Sequence, residues 1–94
     1  MKLQFFAYLR DPEFTGCKEI EWTDNPKTVR ELGEQLSDRF GERFRKEFFT
    51  PDGTGLGERI IVMINGRRVE FIDGIDSAIK ETDTVLIFPV VAGG

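Results

Sequence analysis

The sequence predicts an α+β domain of two layers, and three observations lead there. Strand-like apolar runs stand near both ends, "KLQFFAYL" at Lys2–Leu9 and "TVLIFPVV" at Thr84–Val91. One stretch from Val29 repeats apolar residues at three- and four-residue steps, the period of a helix. Turn-forming residues separate the runs. A hairpin, a helix across one face and further strands build two layers.

Each element can be justified in order. Lys2–Leu9 is rich in aromatic and apolar residues and reads as the first strand. Asp11-Pro12 ends it, and Gly16 marks the turn into "CKEIEWT", whose alternation of polar and apolar residues predicts a second strand paired with the first. Asn25-Pro26 interrupts before the helix. Thr28 and Glu31 have the spacing of a capping box, in which each side chain satisfies an unpaired backbone N–H. Val29, Leu32, Leu36 and Phe40 form one apolar stripe. Gly33 within it is expected to permit close packing on the sheet, and Gly41 to close the helix. Phe44 and Phe48 continue the stripe, which predicts further helical turns through "ERFRKEFF".

"TPDGTGLGE" is a loop by composition. A phosphate cradle would follow a strand, open a helix and carry a Lys-Ser/Thr pair; here a helix precedes and a strand follows, so a plain turn is the better reading. "RIIVMIN" is a strand, Asn65-Gly66 a tight hairpin turn, and "RRVEF" the short return strand. "DGIDSAIKETD" connects with room for one helical turn. The last strand is apolar throughout, so it belongs in the sheet centre beside the first, and Pro89 limits how far it pairs.

Composition narrows the function. The 94 residues make one small domain, 39% hydrophobic and 32% charged. A formal net charge of −4 argues against nucleic acid or an anionic membrane as partner. No apolar run approaches the roughly 18 residues of a bilayer span. The opening "MKLQFFAYLRDPE" has too short an apolar stretch for a signal peptide, and cytoplasmic is the expected location. Histidine is absent and Cys17 stands alone, which removes Ser-His and Cys-His nucleophile pairs and leaves zinc without soft ligands. No metal site and no bound cofactor are expected. The 17 acidic residues lie scattered among 13 basic ones, a solvated surface rather than paired catalytic carboxylates. Cys17 reads as packing or an incidental thiol.

The faces of the strands raise a question. In the first, Leu3, Phe5, Ala7 and Leu9 share one side, and Phe6 and Tyr8 the other with Gln4. In the last, Val85 and Ile87 oppose Leu86 and Phe88. A sheet covered by one helix should read polar on its outer side. Here that side carries Phe6, Tyr8, Leu86 and Phe88, with Pro89 at the strand end. Either the segment from Phe44 to Gly57 wraps it, or it is a docking surface for another protein; docking is the favoured reading.

The end of the chain is equally unusual. "FPVVAGG" runs from a core strand through small and apolar residues to a carboxylate on glycine. At about 7% glycine usage, two terminal glycines arise by chance in roughly one chain in 200. The pair gains weight only with the residues before it. "LQFFAYLR" at Leu3–Arg10, "TVREL" at Thr28–Leu32 and the ending "FPVVAGG" resemble the MoaD-like sulfur carriers, small subunits of molybdopterin synthase with the ubiquitin-like β-grasp fold. That family's ending reads Phe-Pro-Pro-Val-small-Gly-Gly, and Val90 stands where its second proline would be. The region "FFTPDGTGLGE" is longer than in the smallest members.

The resemblance implies a β-grasp domain over residues 1–89, with a mixed sheet of four to five strands and one main helix, and a tail over 90–94. It implies that the reacting group is the carboxylate of Gly94. A ubiquitin-activating-type enzyme adenylates it with ATP, a sulfur donor protein displaces AMP, and the thiocarboxylate then gives sulfur to a pterin precursor in the large subunit of molybdopterin synthase. Phe6 and Phe88 fall at its partner-facing positions, and Val90, Val91, Ala92 and Gly93 form the entering tail. The residue types suit that chemistry. A free carboxylate resists nucleophilic attack until it carries a leaving group, and glycine lets backbone approach closely in a narrow site. Five extended residues span roughly 17 Å. Three alternatives share these features: a carrier for thiazole, cysteine or another sulfur metabolite, a protein modifier joined to lysines through Gly94, and an inert β-grasp interaction module.

Overall fold

The computed structural model describes residues 1–90. Strands β1 (Lys2–Phe5) and β2 (Glu19–Glu21) form an antiparallel hairpin with Leu3 opposite Ile20. Helices α1 (Val29–Phe40) and α2 (Glu42–Phe48) follow. Strands β3 (Ile60–Ile64), β4 (Arg67–Arg68) and β5 (Thr84–Pro89) complete a mixed sheet in the order β2-β1-β5-β3-β4. β5 lies at its centre, parallel to β1 with Leu3 opposite Val85 and antiparallel to β3 with Val62 opposite Ile87. The central place pairs β5 along both edges and buries Val85 and Ile87 beneath the helices, while Leu86 and Phe88 stay half-buried on its outer side.

Parity sorts the residues as their sequence requires. Leu3 and Phe5, Ile60, Val62 and Ile64, and Val85 and Ile87 are buried against the helices. Ile61, Met63, Leu86 and Phe88 alternate with them and remain half-buried on the outer side. Helix α1 starts where its cap predicts: the Thr28 hydroxyl accepts from the Glu31 N–H at 3.2 Å. The reciprocal bond is shifted one residue outward, because the Glu31 carboxylate accepts from the Lys27 N–H at 2.6 Å rather than from that of Thr28. Gly41, at φ +103°, ends α1 and lets α2 fold back. Phe5 meets Phe40 and Phe44 edge-on at 6.1 and 6.3 Å, and Phe44 stacks on Phe48 at 5.7 Å. These contacts put α2 on the same side of the sheet as α1. No helix among the described residues is long and apolar enough to cross a membrane.

Three expectations need correction, and one alternative falls away. Strand β1 ends at Phe5 rather than Leu9. Ala7 takes φ +53°, Ala7–Arg10 closes into a 3-10 turn, and the Arg10 Nε donates to the Phe5 carbonyl at 2.7 Å. Parity therefore fails beyond Phe6: Ala7 is exposed, while Leu9 stays buried through the turn. The return strand after Asn65-Gly66 is only Arg67–Arg68, since Val69–Phe71 is another 3-10 turn. Gly33 makes room for a neighbouring helix rather than the sheet: a Cβ there would lie 2.3 Å from Phe48 Cε1. Finally, the segment from Phe44 to Gly57 does not wrap the outer face. Its loop is held beside α1, where Arg30 donates to the Gly53 and Thr54 carbonyls at 3.3 and 3.1 Å.

Candidate functional site

The outer face, which no helix among the described residues covers, carries an open groove of about 420 Å³ lined by Phe6, Ala7, Met63, Leu86, Phe88 and Pro89. Its walls follow from the strand register. β5 contributes Leu86 and Phe88 on alternate positions, β3 contributes Met63 opposite Leu86, and the turn out of β1 contributes Phe6 and Ala7. Phe6 and Phe88 meet edge to face at 5.9 Å, a geometry that aligns a ring edge with the electron-rich face of the other. The Arg10 guanidinium lies over Phe6, 5.1 Å from its centroid. The groove is thus a preformed apolar seat with a cation on its rim.

Four of the five residues expected on a docking surface come together here: Phe6, Leu86, Phe88 and Pro89. Tyr8 does not. The turn that starts at Ala7 directs its hydroxyl to the Glu47 carboxylate on α2, and its ring packs on Phe14 at 5.4 Å between centroids. Desolvation, and then the bond to Glu47, push the Tyr8 pKa up to about 12. Met63 and Ala7 join the groove without having been singled out. The alternation of "RIIVMIN" carried the signal for Met63, on the same side as Ile61; nothing local marks Ala7.

The groove lies beside the root of the chain's end. The Val90 N–H donates to the Arg59 carbonyl at 2.6 Å, and the Val90 side chain is exposed. β5 therefore delivers the chain from the centre of the sheet to the end of the groove closed by Pro89. Val91, Ala92, Gly93 and Gly94 lie outside the described residues. Elsewhere, the glycine-rich loop is a turn stabilised from within. Asp52 accepts from the Thr50 and Thr54 hydroxyls and the Thr54 N–H, which holds its carboxyl below the usual range. Cys17 is half-buried against the core.

Comparison with known proteins bears on the whole chain. The ThiS family model matches residues 3–94. Small archaeal modifier protein 3 of Haloferax volcanii is 34% identical over 95 residues, covering 100% of this chain and 98% of its own. The Amycolatopsis orientalis BexX/CysO complex contains a chain 28% identical with a TM-score of 0.79, covering 99% of this chain and 98% of that one. A Pyrococcus furiosus protein described as a candidate subunit 1 of molybdopterin converting factor is 33% identical with a TM-score of 0.66, covering 96% of this chain and 95% of its own. The sheet order and helices are those of the ubiquitin-like β-grasp fold. A family match that includes the Gly-Gly end, on a domain built this way, has one meaning: the chain belongs to the ThiS family, the ubiquitin-like sulfur carriers of the ThiS and MoaD kind.

Proposed function

We propose that this protein is the sulfur-carrying cosubstrate of a partner enzyme and that Gly94 is its reacting residue. The observation that carries the reading is the junction of two features. An apolar groove that no described helix covers adjoins the end of the central strand, after which the sequence closes on Val-Ala-Gly-Gly. A ubiquitin-activating-type enzyme would seat the groove and receive the tail over 90–94. One carboxylate oxygen of Gly94 attacks the α-phosphorus of ATP and pyrophosphate departs. The outer sulfur of a donor protein's persulfide then attacks the acyl carbon, and AMP departs with the C–O bond electrons. A second thiol attacks the donor-side sulfur of the resulting acyl disulfide, so that the S–S bond breaks, the donor leaves as a disulfide and the thiocarboxylate remains. ATP belongs to the activating enzyme, and the carrier itself binds no cofactor. The side chains of this domain supply docking energy and no catalysis. The groove rings are already half-buried, so each contributes about half of the roughly 1.5–3 kcal/mol of full burial.

For the acceptor, the ending resembles that of molybdopterin synthase small subunits, and the Pyrococcus relative is described as a candidate molybdopterin converting factor subunit. A pterin precursor in the large synthase subunit is accordingly the first candidate, for a molybdenum or tungsten cofactor, in the cytoplasm. A second reading has equal support, since the Haloferax relative at 34% identity is named a modifier: Gly94 would then form an isopeptide bond with a lysine of a target protein. Intact mass of the protein isolated from its own cells separates these. A gain equal to sulfur replacing oxygen at the C-terminus supports the carrier, and a ladder of conjugates supports the modifier. An unmodified mass after incubation with activating enzyme, sulfur donor and ATP contradicts both.

A further inference from the structure

The stretch between α2 and β3 takes no part in the groove, yet it touches the root of the tail. Ile60 stands opposite Pro89 in the sheet. One step further out, the Val90 N–H donates to the Arg59 carbonyl at 2.6 Å. In an antiparallel ladder, pairs that exchange hydrogen bonds alternate with pairs that do not. Arg59 and Val90 form a bonded pair, so Ile60 and Pro89 do not, and the missing proline N–H costs no bond to β3. The Val90 amide thus carries the pairing past the proline to the residue where the tail begins. Arg59 is in turn held in place. The Ile60 N–H donates to the Gly57 carbonyl at 3.0 Å, closing a turn over 57–60, and the Gly57 N–H donates to the Phe48 carbonyl at 2.7 Å. Phe48 ends α2 with its ring fully buried. Gly57 lies so near that helix end that a Cβ would stand 2.2 Å from the Glu47 carbonyl oxygen, so a residue without one seats the turn there. The route from the tail root into the core is short: Val90, Arg59, Gly57, Phe48.

We propose that the turn over 57–60 is a bracket that aims the tail, with Arg59 and Val90 as positioning residues for the reaction at Gly94. The proposal rests on the carrier reading above and holds for whichever enzyme site the carboxylate enters. Each backbone residue left unfixed between the domain and Gly94 must be ordered on entry, at a cost in conformational entropy. Holding Val90 removes one such residue. The four that follow it span at most about 13 Å, and the sheet sets where they start. Reactions between bound groups are sensitive to placement at the scale of an ångström. A fixed root therefore narrows the volume in which the carboxylate must be found. It also gives the α2 end and its loop, remote from the groove, a part in the chemistry.

The test compares the full chain with Val90→Pro, Val90→Ala and Gly57→Ala, using the adenylating enzyme from its own cell, ATP and the sulfur donor. Amide hydrogen exchange, thermal unfolding, and kcat and KM for thiocarboxylation are measured. The Val90 amide of the wild type should exchange slowly, as its bond to Arg59 requires. Proline lacks the N–H while its fixed φ suits an extended chain. Alanine keeps the N–H and carries whatever loss the valine side chain itself causes. Val90→Pro should therefore fall about tenfold below Val90→Ala in kcat, the ordering entropy of one backbone residue expressed as a rate, with KM the same in both. Gly57→Ala displaces the Arg59 carbonyl from the other end and should lower kcat in the same direction. Both changes cut one link, so the double variant should be no slower than the worse single one. Should Gly57→Ala fold poorly, Val90→Pro against Val90→Ala decides by itself. A Val90 amide that exchanges as freely as an unfolded chain, equal kcat in the proline and alanine variants, or a loss confined to KM overturns the proposal and leaves the carrier reading standing. A wild-type chain that gains no sulfur overturns both.

Discussion

Two single residues carry consequences that can be measured. Gly33 lies on the helix face that meets α2, where an added Cβ would stand 2.3 Å from Phe48 Cε1 and 2.7 Å from Phe49 Cζ. Phe48 is fully buried and stacked on Phe44, so its ring cannot simply swing away. Gly33→Ala is expected to cost about 1–3 kcal/mol through overpacking, despite alanine's better helix propensity, and urea unfolding would read the loss. Tyr8 is the second. It is the chain's one tyrosine, so its titration is spectroscopically clean. Its folded pKa of about 12 lies above its ordinary value of 10.0. The protonated phenol is therefore favoured by folding. The stability it adds is present in full below the ordinary value and lost as pH rises through the folded one. Ultraviolet absorbance should show tyrosinate appearing near the raised value in the native protein, and Tyr8→Phe should remove the corresponding alkaline slope of stability. A native titration at the ordinary value would contradict the Tyr8–Glu47 contact.

At the scale of elements, the break between α1 and α2 depends on Gly41. At φ +103° and ψ −177° it occupies a region essentially closed to other residues, at a cost of about 1–3 kcal/mol for any side chain. Nothing lies within 4 Å of a Cβ built there, so Gly41→Ala isolates backbone strain from packing. Chemical denaturation should show a loss in that range, and no loss would mean that the two helices can join differently. The helices were legible in the sequence because periodicity, the Thr28 cap and Gly41 agree. Strands β3 and β5 were legible because parity is a local property of "RIIVMIN" and "TVLIF". The ends of β1 and β4 were not. Ala7 turns the chain at a positive φ that alanine does not advertise, and the turn from Val69 follows a hairpin whose Asn65-Gly66 signal says nothing about strand length. Tyr8 was placed on the wrong side for the same reason. Its partner Glu47 lies 39 residues away, a distance over which no sequence pattern speaks.

For the molecule as a whole, the proposed function makes the described domain a handle. Its core side is filled by aromatic rings from β1, α1 and α2, and its outer side is left apolar beside the root of the tail. The groove was legible from Phe6, Leu86 and Phe88 standing on what should have been a polar face. Its extent was not, because Met63 becomes a wall residue only once β3 pairs with β5. Such a division of labour means that loss of the tail should abolish chemistry without harming the fold. The most direct test removes Gly94 and follows two quantities together: thermal unfolding, and intact mass after incubation with adenylating enzyme, sulfur donor and ATP. The account predicts an unchanged melting transition and no gain of sulfur, against full conversion of the intact chain. A truncated chain that still gains sulfur, or one that unfolds far more easily, would contradict it.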